Sequence, residues 1–292
     1  HLAERHGAAV WLVGRRPLTP AEQASITGPA RGGVTYRVAD LADRAALRTV
    51  AQEAAGAAGR IDGVVHAALV MDDRLLADQS DADIAAVMAP KAEGVRALQA
   101  ALDGIAVGAW IAFSSSNAYT ANRGQAAYAA ASAFLDAAVL ATGPGARVID
   151  WGLWGEVGRM AGDPRSNAMQ RMGIWPIATA EGLAAFEAVL AGAEPRVLAL
   201  KVTDALLEPL GVATDPAVPA RSGLERFIAA TPPPVPFDSG RLQAVDAFAT
   251  AAITEQLRGT DPLAPAPGME RLAAAVEALR QAAVEPAAAA RA

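Results

Sequence analysis

The chain has 292 residues, 53% of them hydrophobic, enough for one good-sized core and an appendage. A net charge of −6 argues against a nucleic-acid partner, and the absence of cysteine excludes both a disulfide framework and a thiolate site. No apolar run reaches the ~18 residues of a bilayer span, no signal peptide is visible, and only three histidines, at 1, 6 and 66, argue against a metal cluster, so a cytoplasmic protein without membrane or metal is expected.

Residues 1–7 (HLAERHG) read as the end of a helix closed by Gly7, and 8–13 as a strand. Gly14-Arg15-Arg16-Pro17 turns the chain. A short strand at 34–38 leads to Asp40, and Asp43 can cap a helix over Arg44–Ala58. Residues 61–68 (IDGVVHAA) predict a third strand, and 80–102 predict one long amphipathic helix carrying Lys91. The apolar run from Ile111 stops in the hydroxyl cluster Ser114-Ser115-Ser116. A polar loop with Gly124 follows, then an Ala-rich helix with Tyr128 on its early face. A strand at 147–151, a loop-rich stretch through Pro176, a helix over Thr179–Ala191 and a strand at 196–202 complete the series. Strands alternating with helices of this length predict a parallel sheet covered on both faces. Residues 1–212 then form one domain. The prolines at 216, 219, 232, 233, 234 and 236 make 213–240 a linker, and 241–292 reads as a separate helical segment with a frayed end.

The chemistry gathers at the carboxyl ends of the strands, where α/β sheets place ligands. A serine hydroxyl there, facing a tyrosine on the next helix, can hold a carbonyl oxygen between two O–H donors. Ser115 and Tyr128 are separated by enough loop to meet again. A phenol with a pKa near ~10 donates poorly to a developing alkoxide unless a cation stabilises the phenolate. The twenty-five basic residues are twenty-three arginines and two lysines, Lys91 and Lys201. Lysine can shed its proton or act as a compact donor where arginine cannot. Arg15 and Arg16 follow a strand where a doubly wound fold receives the adenosine ribose. Their guanidinium forks suit a 2′-phosphate, and the acid that would hold a bare 2′-hydroxyl is missing from this turn, which favours NADPH. Each residue also has a plainer reading: a solvated arginine pair, Asp40 capping a turn, His66-Ala67-Ala68 closely packed, Lys91 on a wet helix face, a core Tyr128 and a helix-capping Ser115. Their combination favours carbonyl reduction.

The stretches HLAERHG…LVGRRPL, VVHAALVMDDRLL, APKAEG, FSSS…GQAAYAAASAFLDA and WGLWGEVGRM resemble the short-chain dehydrogenase/reductase superfamily. More closely, they resemble the ketoreductase domains of modular polyketide synthases, with the texture of synthases whose acyltransferase acts in trans. The similarity runs from His1 to about Leu210. It implies a Rossmann-like doubly wound parallel sheet that lacks its first strand and glycine-rich turn, since neither occurs in this chain. By resemblance, Tyr128 is the proton donor, Ser115 binds the carbonyl oxygen, and Lys91, from the helix before the serine strand, supports the tyrosine. Arg15 and Arg16 would meet the 2′-phosphate of NADPH, and Asp40 and Leu41 the adenine. Ala67 and Ala68 and the Trp151-Gly152-Leu153 turn would flank the nicotinamide. Met71-Asp72-Asp73 resembles the signature of B-type enzymes that give a D-hydroxyl, with Asp73 as the stereocontrol residue. Thr120 stands where the opposite class has tryptophan. The implied substrate is a β-ketoacyl thioester on an acyl carrier protein, passing a lid at 156–175, with other synthase domains as partners and 241–292 as the start of a following domain. Two positions depart from the pattern: Ser132 replaces an asparagine and Leu69 a glycine. A degenerate structural domain and a free-standing reductase of small ketones are the alternatives.

Overall fold

The structure, a computed structural model, describes residues 1–26, 33–120, 122–158, 160–163, 165–203 and 206. The expected linker at 213–240 and the helices beyond it lie outside the described residues. Helix α1 (Leu2–His6) ends at Gly7 with φ 68°, a left-handed turn that suits glycine and directs the chain into β1 (Val10–Gly14). A short helix that the sequence reading left out, α2 (Pro20–Ile26), follows. Its signal was present: Thr19 and Glu22 hydrogen-bond each other's backbone amides, and proline opens the first turn. Strand β2 (Val34–Val38) leads to α3 (Arg44–Ala58), capped as expected by Asp43, whose carboxylate accepts from the Ala46 amide at 2.9 Å.

After β3 (Ile61–His66) the single helix expected at 80–102 is two, α4 (Asp81–Met88) and α5 (Ala92–Ala101). Pro90 has no amide to continue the ladder, so α4 stops and one tight turn, Lys91 N–H to Met88 C=O at 3.1 Å, starts α5. Strand β4 (Val107–Ser115), α6 (Asn117–Thr120), α7 (Ala126–Leu140) and β5 (Ala146–Trp151) follow. Within the stretch read as loop lies α8 (Arg165–Arg171), before α9 (Thr179–Ala191) and β6 (Arg196–Ala199). The last strand is shorter than expected because Val202 leaves it to bridge Ile174 antiparallel. No described helix is long and apolar enough to cross a membrane.

All strand pairs are parallel. They form two sheets, β1-β2 and β3-β4-β5-β6. A doubly wound sheet runs 3-2-1-4-5-6, so leaving out its first strand produces this division. Among the described residues β1 and β3 each have one strand neighbour, and Leu12, Val13 and Val65 on them are exposed. Helices join the halves: Ala39 after β2 and Leu47 of α3 pack with Ala97 and Ala101 of α5. The larger sheet is covered on both faces by strict alternation. Ile111, Ile149 and Trp151 meet Phe186 and Val189 of α9, while Ala112 and Val148 meet Val95 of α5 and Leu135 and Val139 of α7.

Candidate active site

Ser115 closes β4 directly opposite Trp151 of β5, and its hydroxyl accepts from the Asn117 amide at 3.3 Å. Tyr128 lies in the first turn of α7, and its phenol comes close enough to the Ser115 and Ser132 hydroxyls for both to act on its ionisation. Burial raises the phenol's pKa, and those two hydroxyls pull it back down. Lys91 is the N-cap residue of α5 and only 1% exposed. Its ammonium donates to Ser132 Oγ at 3.1 Å and lies 4.9 Å from the centre of the Tyr128 ring, while Ser132 Oγ donates to the Tyr128 carbonyl at 2.8 Å. Thus Ser115, Tyr128 and Lys91 meet in one place. Burial first, opposed by Asp136 and Asp150, lowers the Lys91 ammonium to about 8.

Lys91 is delivered there by the break at Pro90, and that break is clamped. The His66 ring, at the end of β3, contacts the Pro90 carbonyl oxygen through Nε2 at 2.9 Å. Burial first, then the Lys91 charge, holds His66 down at about 4, so the ring is neutral and its Nε2–H donates. Behind Lys91 lies a charged group that the sequence reading missed. Arg196 of β6 donates through Nη2 to Asp136 of α7 at 2.7 Å and through Nε to Asp150 of β5 at 2.8 Å. Its guanidinium also lies 4.3 Å from the Tyr119 ring centre. The available signal was helical: Tyr128, Ser132 and Asp136 recur every four residues on one face of α7.

Asp73 is tied on both sides. One carboxylate oxygen accepts from Gln125 Nε2 at 2.8 Å, the other from Arg165 Nη1 of α8 at 2.6 Å. Gln125 Oε1 accepts in turn from Asn117 Nδ2 at 2.7 Å. This chain of bonds links the segment after β3, the turn before α7 and the stretch expected as a lid. Asp72 pairs with Arg74 instead.

A separate open groove at the carboxyl ends of β1 and β2 is lined by Gly14, Arg15, Arg16, Leu18, Tyr36 and Asp40. Arg16 is engaged by Glu22, leaving Arg15 without an ion pair among the described residues. A Cβ at Gly14 would clash with the Tyr36 hydroxyl, which donates to the Arg16 carbonyl at 2.7 Å. Asp40 accepts from the Ala42 amide at 2.8 Å, the turn-capping contact its position also suggested. Leu41 packs over Gly94 beside His66. Ala67 is exposed and Ala68 half-buried at the end of β3, with the 38% exposed Leu69 beyond. Trp151 is buried, the Gly152 amide donates to Ala199 C=O at 2.8 Å, and the Leu153 carbonyl accepts from Ile177 at 2.7 Å. A charged groove beside small residues and a buried donor set fits a nicotinamide dinucleotide.

Two of the three histidines do meet. His1 and His6 each approach Glu187 Oε1 to 2.7 Å. Arg5 lies 3.4 Å from the same oxygen, so that carboxylate already has a permanent cation.

The family model of the KR domain matches residues 1–156. The chain belongs to the ketoreductase domains of modular polyketide synthases, in the short-chain dehydrogenase/reductase superfamily. A spectinabilin polyketide synthase system protein of Streptomyces orinoci is 36% identical over 237 residues, covering 77% of this ketoreductase chain and 6% of its own length. The polyketide synthase GfsB of Streptomyces halstedii is 35% identical over 208 residues, covering 66% of this chain and 4% of its own. The chain thus spans a small fraction of these curated relatives. Among solved structures, a ketoreductase domain from the bacillaene assembly line superposes with a TM-score of 0.65 at 27% identity, over 72% of this chain and 53% of that one. The structure of A-type ketoreductases from a modular polyketide synthase does so with 0.61 at 27%, over 77% and 48%. Ketoreductase domains use a nicotinamide cofactor, in keeping with the groove.

Proposed function

We propose that this domain reduces a β-ketoacyl thioester, carried on the phosphopantetheine arm of an acyl carrier protein, to the β-hydroxyacyl thioester with NADPH. One observation carries the reading: the Lys91 ammonium, the Tyr128 phenol and the Ser115 hydroxyl converge through Ser132 at the carboxyl ends of the strands. Ser115 donates a hydrogen bond to the substrate carbonyl oxygen and fixes its position. Tyr128 releases its phenolic proton to that oxygen as negative charge develops there, and Lys91 lowers the energy of the phenolate left behind. Bound NADPH supplies the hydride that the carbonyl carbon receives. Arg15, with Arg16 beside it, holds the 2′-phosphate, and Asp40 and Leu41 flank the adenine. Ala67 and Ala68, with the Trp151-Gly152-Leu153 turn, border the nicotinamide. Asp73, pinned between Gln125 and Arg165, shapes the entry for a B-type product with a D-configured hydroxyl.

The test is NADPH consumption with a β-ketoacyl N-acetylcysteamine thioester. It is run on this chain and on a version extended upstream of His1 by a strand and a glycine-rich turn. Turnover in the extended version is expected. Leu69 and Ser132, which depart from the family's pattern, favour a second reading, a structural ketoreductase-like domain, and a folded but inactive extended version would select it. Equal rates on a free small ketone would instead point to a free-standing reductase. For the cofactor, Arg15→Ala should weaken NADPH by roughly 10–100-fold with NADH little changed, because a charge-assisted bond is worth about 1.5–3 kcal/mol. An unaltered preference would remove the phosphate contact.

A further inference from the structure

The buried group behind Lys91 sets two carboxyls against one guanidinium: burial, then Asp150, push the Asp136 carboxyl well above its usual range, and Arg196 and Lys91 draw it back. Asp136 and Asp150 are 2% and 0% exposed, and Arg196 supplies one bond to each. One guanidinium cannot offset two buried carboxylates. The remaining oxygen of each, Asp136 Oδ1 and Asp150 Oδ1, is buried without a hydrogen-bond partner among the described residues. The Lys91 ammonium is buried, bonds Ser132 Oγ with one of its three protons, and feels the charges of Asp136 and Asp150 through space, with no ion pair within 4 Å to either among the described residues. With Lys91 charged, both carboxylates can ionise, two negative against two positive. With Lys91 neutral, burial and the Asp150 charge favour the protonated Asp136 carboxyl, so the charges of Asp136 and Lys91 rise and fall together. The helix supplies the alignment, since Ser132, the hydroxyl that bonds Lys91, precedes Asp136 by one turn of α7. Ser114 of β4 donates to the Ser132 carbonyl at 3.4 Å, and its hydroxyl lies near enough to Asp136 to favour the ionised carboxyl.

We infer that Asp136, supported by Asp150 and Arg196, is the positioning counter-ion of Lys91, holding the ammonium protonated and aimed at the Tyr128 ring. The role rests on the reductase reading of Lys91 and Tyr128. The groups around this pair come from every packed element: neutral His66 from β3, Ser114 from β4, Tyr119 from α6 against Arg196, Tyr128 and Ser132 from α7, Asp150 from β5 and Arg196 from β6. A purely structural charge cluster would stabilise the fold and leave the lysine's proton affinity alone.

The chain's composition makes the test direct, because it has two lysines. In this 292-residue chain labelled with ¹³C-lysine two side-chain signals titrate, and Lys201→Arg assigns them. Asp136→Asn should lower the Lys91 midpoint by about one pH unit or more. Lys201, paired with Glu181 at 2.8 Å, should stay where it is and report an intact fold. Asp150→Asn should move Lys91 the same way and serves if Asp136→Asn does not fold. In the wild type, the Asp136 carboxyl carbon should shift at the Lys91 midpoint, a readout that needs no variant. A folded Asp136→Asn with an unmoved Lys91 midpoint, or an Asp136 carboxyl blind to the lysine's titration, overturns the inference. Tyr128→Phe retaining full turnover would overturn the reductase reading while leaving the lysine titration intact, so the two failures are distinct.

Discussion

At the scale of single residues, the chemistry depends on a proton donor that its surroundings make reluctant. Burial raises the Tyr128 phenol's pKa, Ser115 and Ser132 lower the cost of ionising it, and in the proposed mechanism the Lys91 ammonium, 4.9 Å from the ring centre, adds to them. Tyr128→Phe in an active, upstream-extended version should therefore reduce kcat by about 10²–10⁴-fold, the usual worth of a positioned general acid, with NADPH affinity nearly unchanged. Single-turnover reduction alongside cofactor titration separates the two quantities. His66 gives a different signature. Its folded value of about 4 lies below the ordinary ~6.5, so the unfolded chain takes up the proton first. Its contribution is complete above pH ~6.5 and is lost as the pH falls toward 4. The total is about 3 kcal/mol, from roughly 1.4 kcal/mol per pH unit. Denaturant unfolding from pH 7 to 4 should show this loss, and His66→Gln should flatten it. A wild-type profile without a slope in that window would mean that His66 is not held neutral by burial.

Among the elements, the α4–α5 break and α8 do most to shape the site. Pro90 ends one helix, and the following turn places Lys91 as an N-cap residue pointing inward where a continuous helix would carry it past the tyrosine. Helix α8 reaches the site through Arg165, which donates to Asp73. Exposed ion pairs are worth up to about 1 kcal/mol, so Arg165→Ala should raise the thioester KM by about 2–5-fold and lower stereochemical purity, leaving NADPH binding unchanged. Chiral analysis of the hydroxyacyl product checks it, and an unchanged KM and product ratio would separate α8 from substrate entry.

Among the described residues the strands form two parallel sheets, and α3 packing on α5 joins them. Leu12 and Val13 on β1 and Val65 on β3 leave apolar surface beside unpaired backbone, the combination that templates edge-to-edge association. Expressed from His1 onward, the chain should associate in a concentration-dependent manner, and a version extended upstream by a strand that pairs with β1 and β3 should not. Leu12→Lys with Val65→Lys should reduce the light scattering without lowering helical content. Equal scattering by both proteins would locate the association elsewhere.

The local elements were legible because local physics makes them. Asp43 and the αL glycines at 7 and 59 bound α1 and α3, and the 111–115 and 146–151 runs alternate or stay apolar as buried strands must. The residue types at the site were legible too, since a hydroxyl at a strand end and a phenol one turn into the next helix carry their own spacing. The breaks and partnerships were not. Whether Pro90 kinks or severs a helix depends on what holds the turn, here His66 from 24 residues away. Asp136, Asp150 and Arg196 come from three elements, and no sequence interval marks them as one charge group. Sequence alone determined most of the helices and strands, α2, α8 and the break at Pro90 excepted, and which side chains can do the chemistry, because capping, periodicity and acidity are properties of a few neighbouring residues. Only the tertiary structure decided which charges share a dry interior, because burial and Coulombic coupling depend on distances through space that the chain's order does not encode.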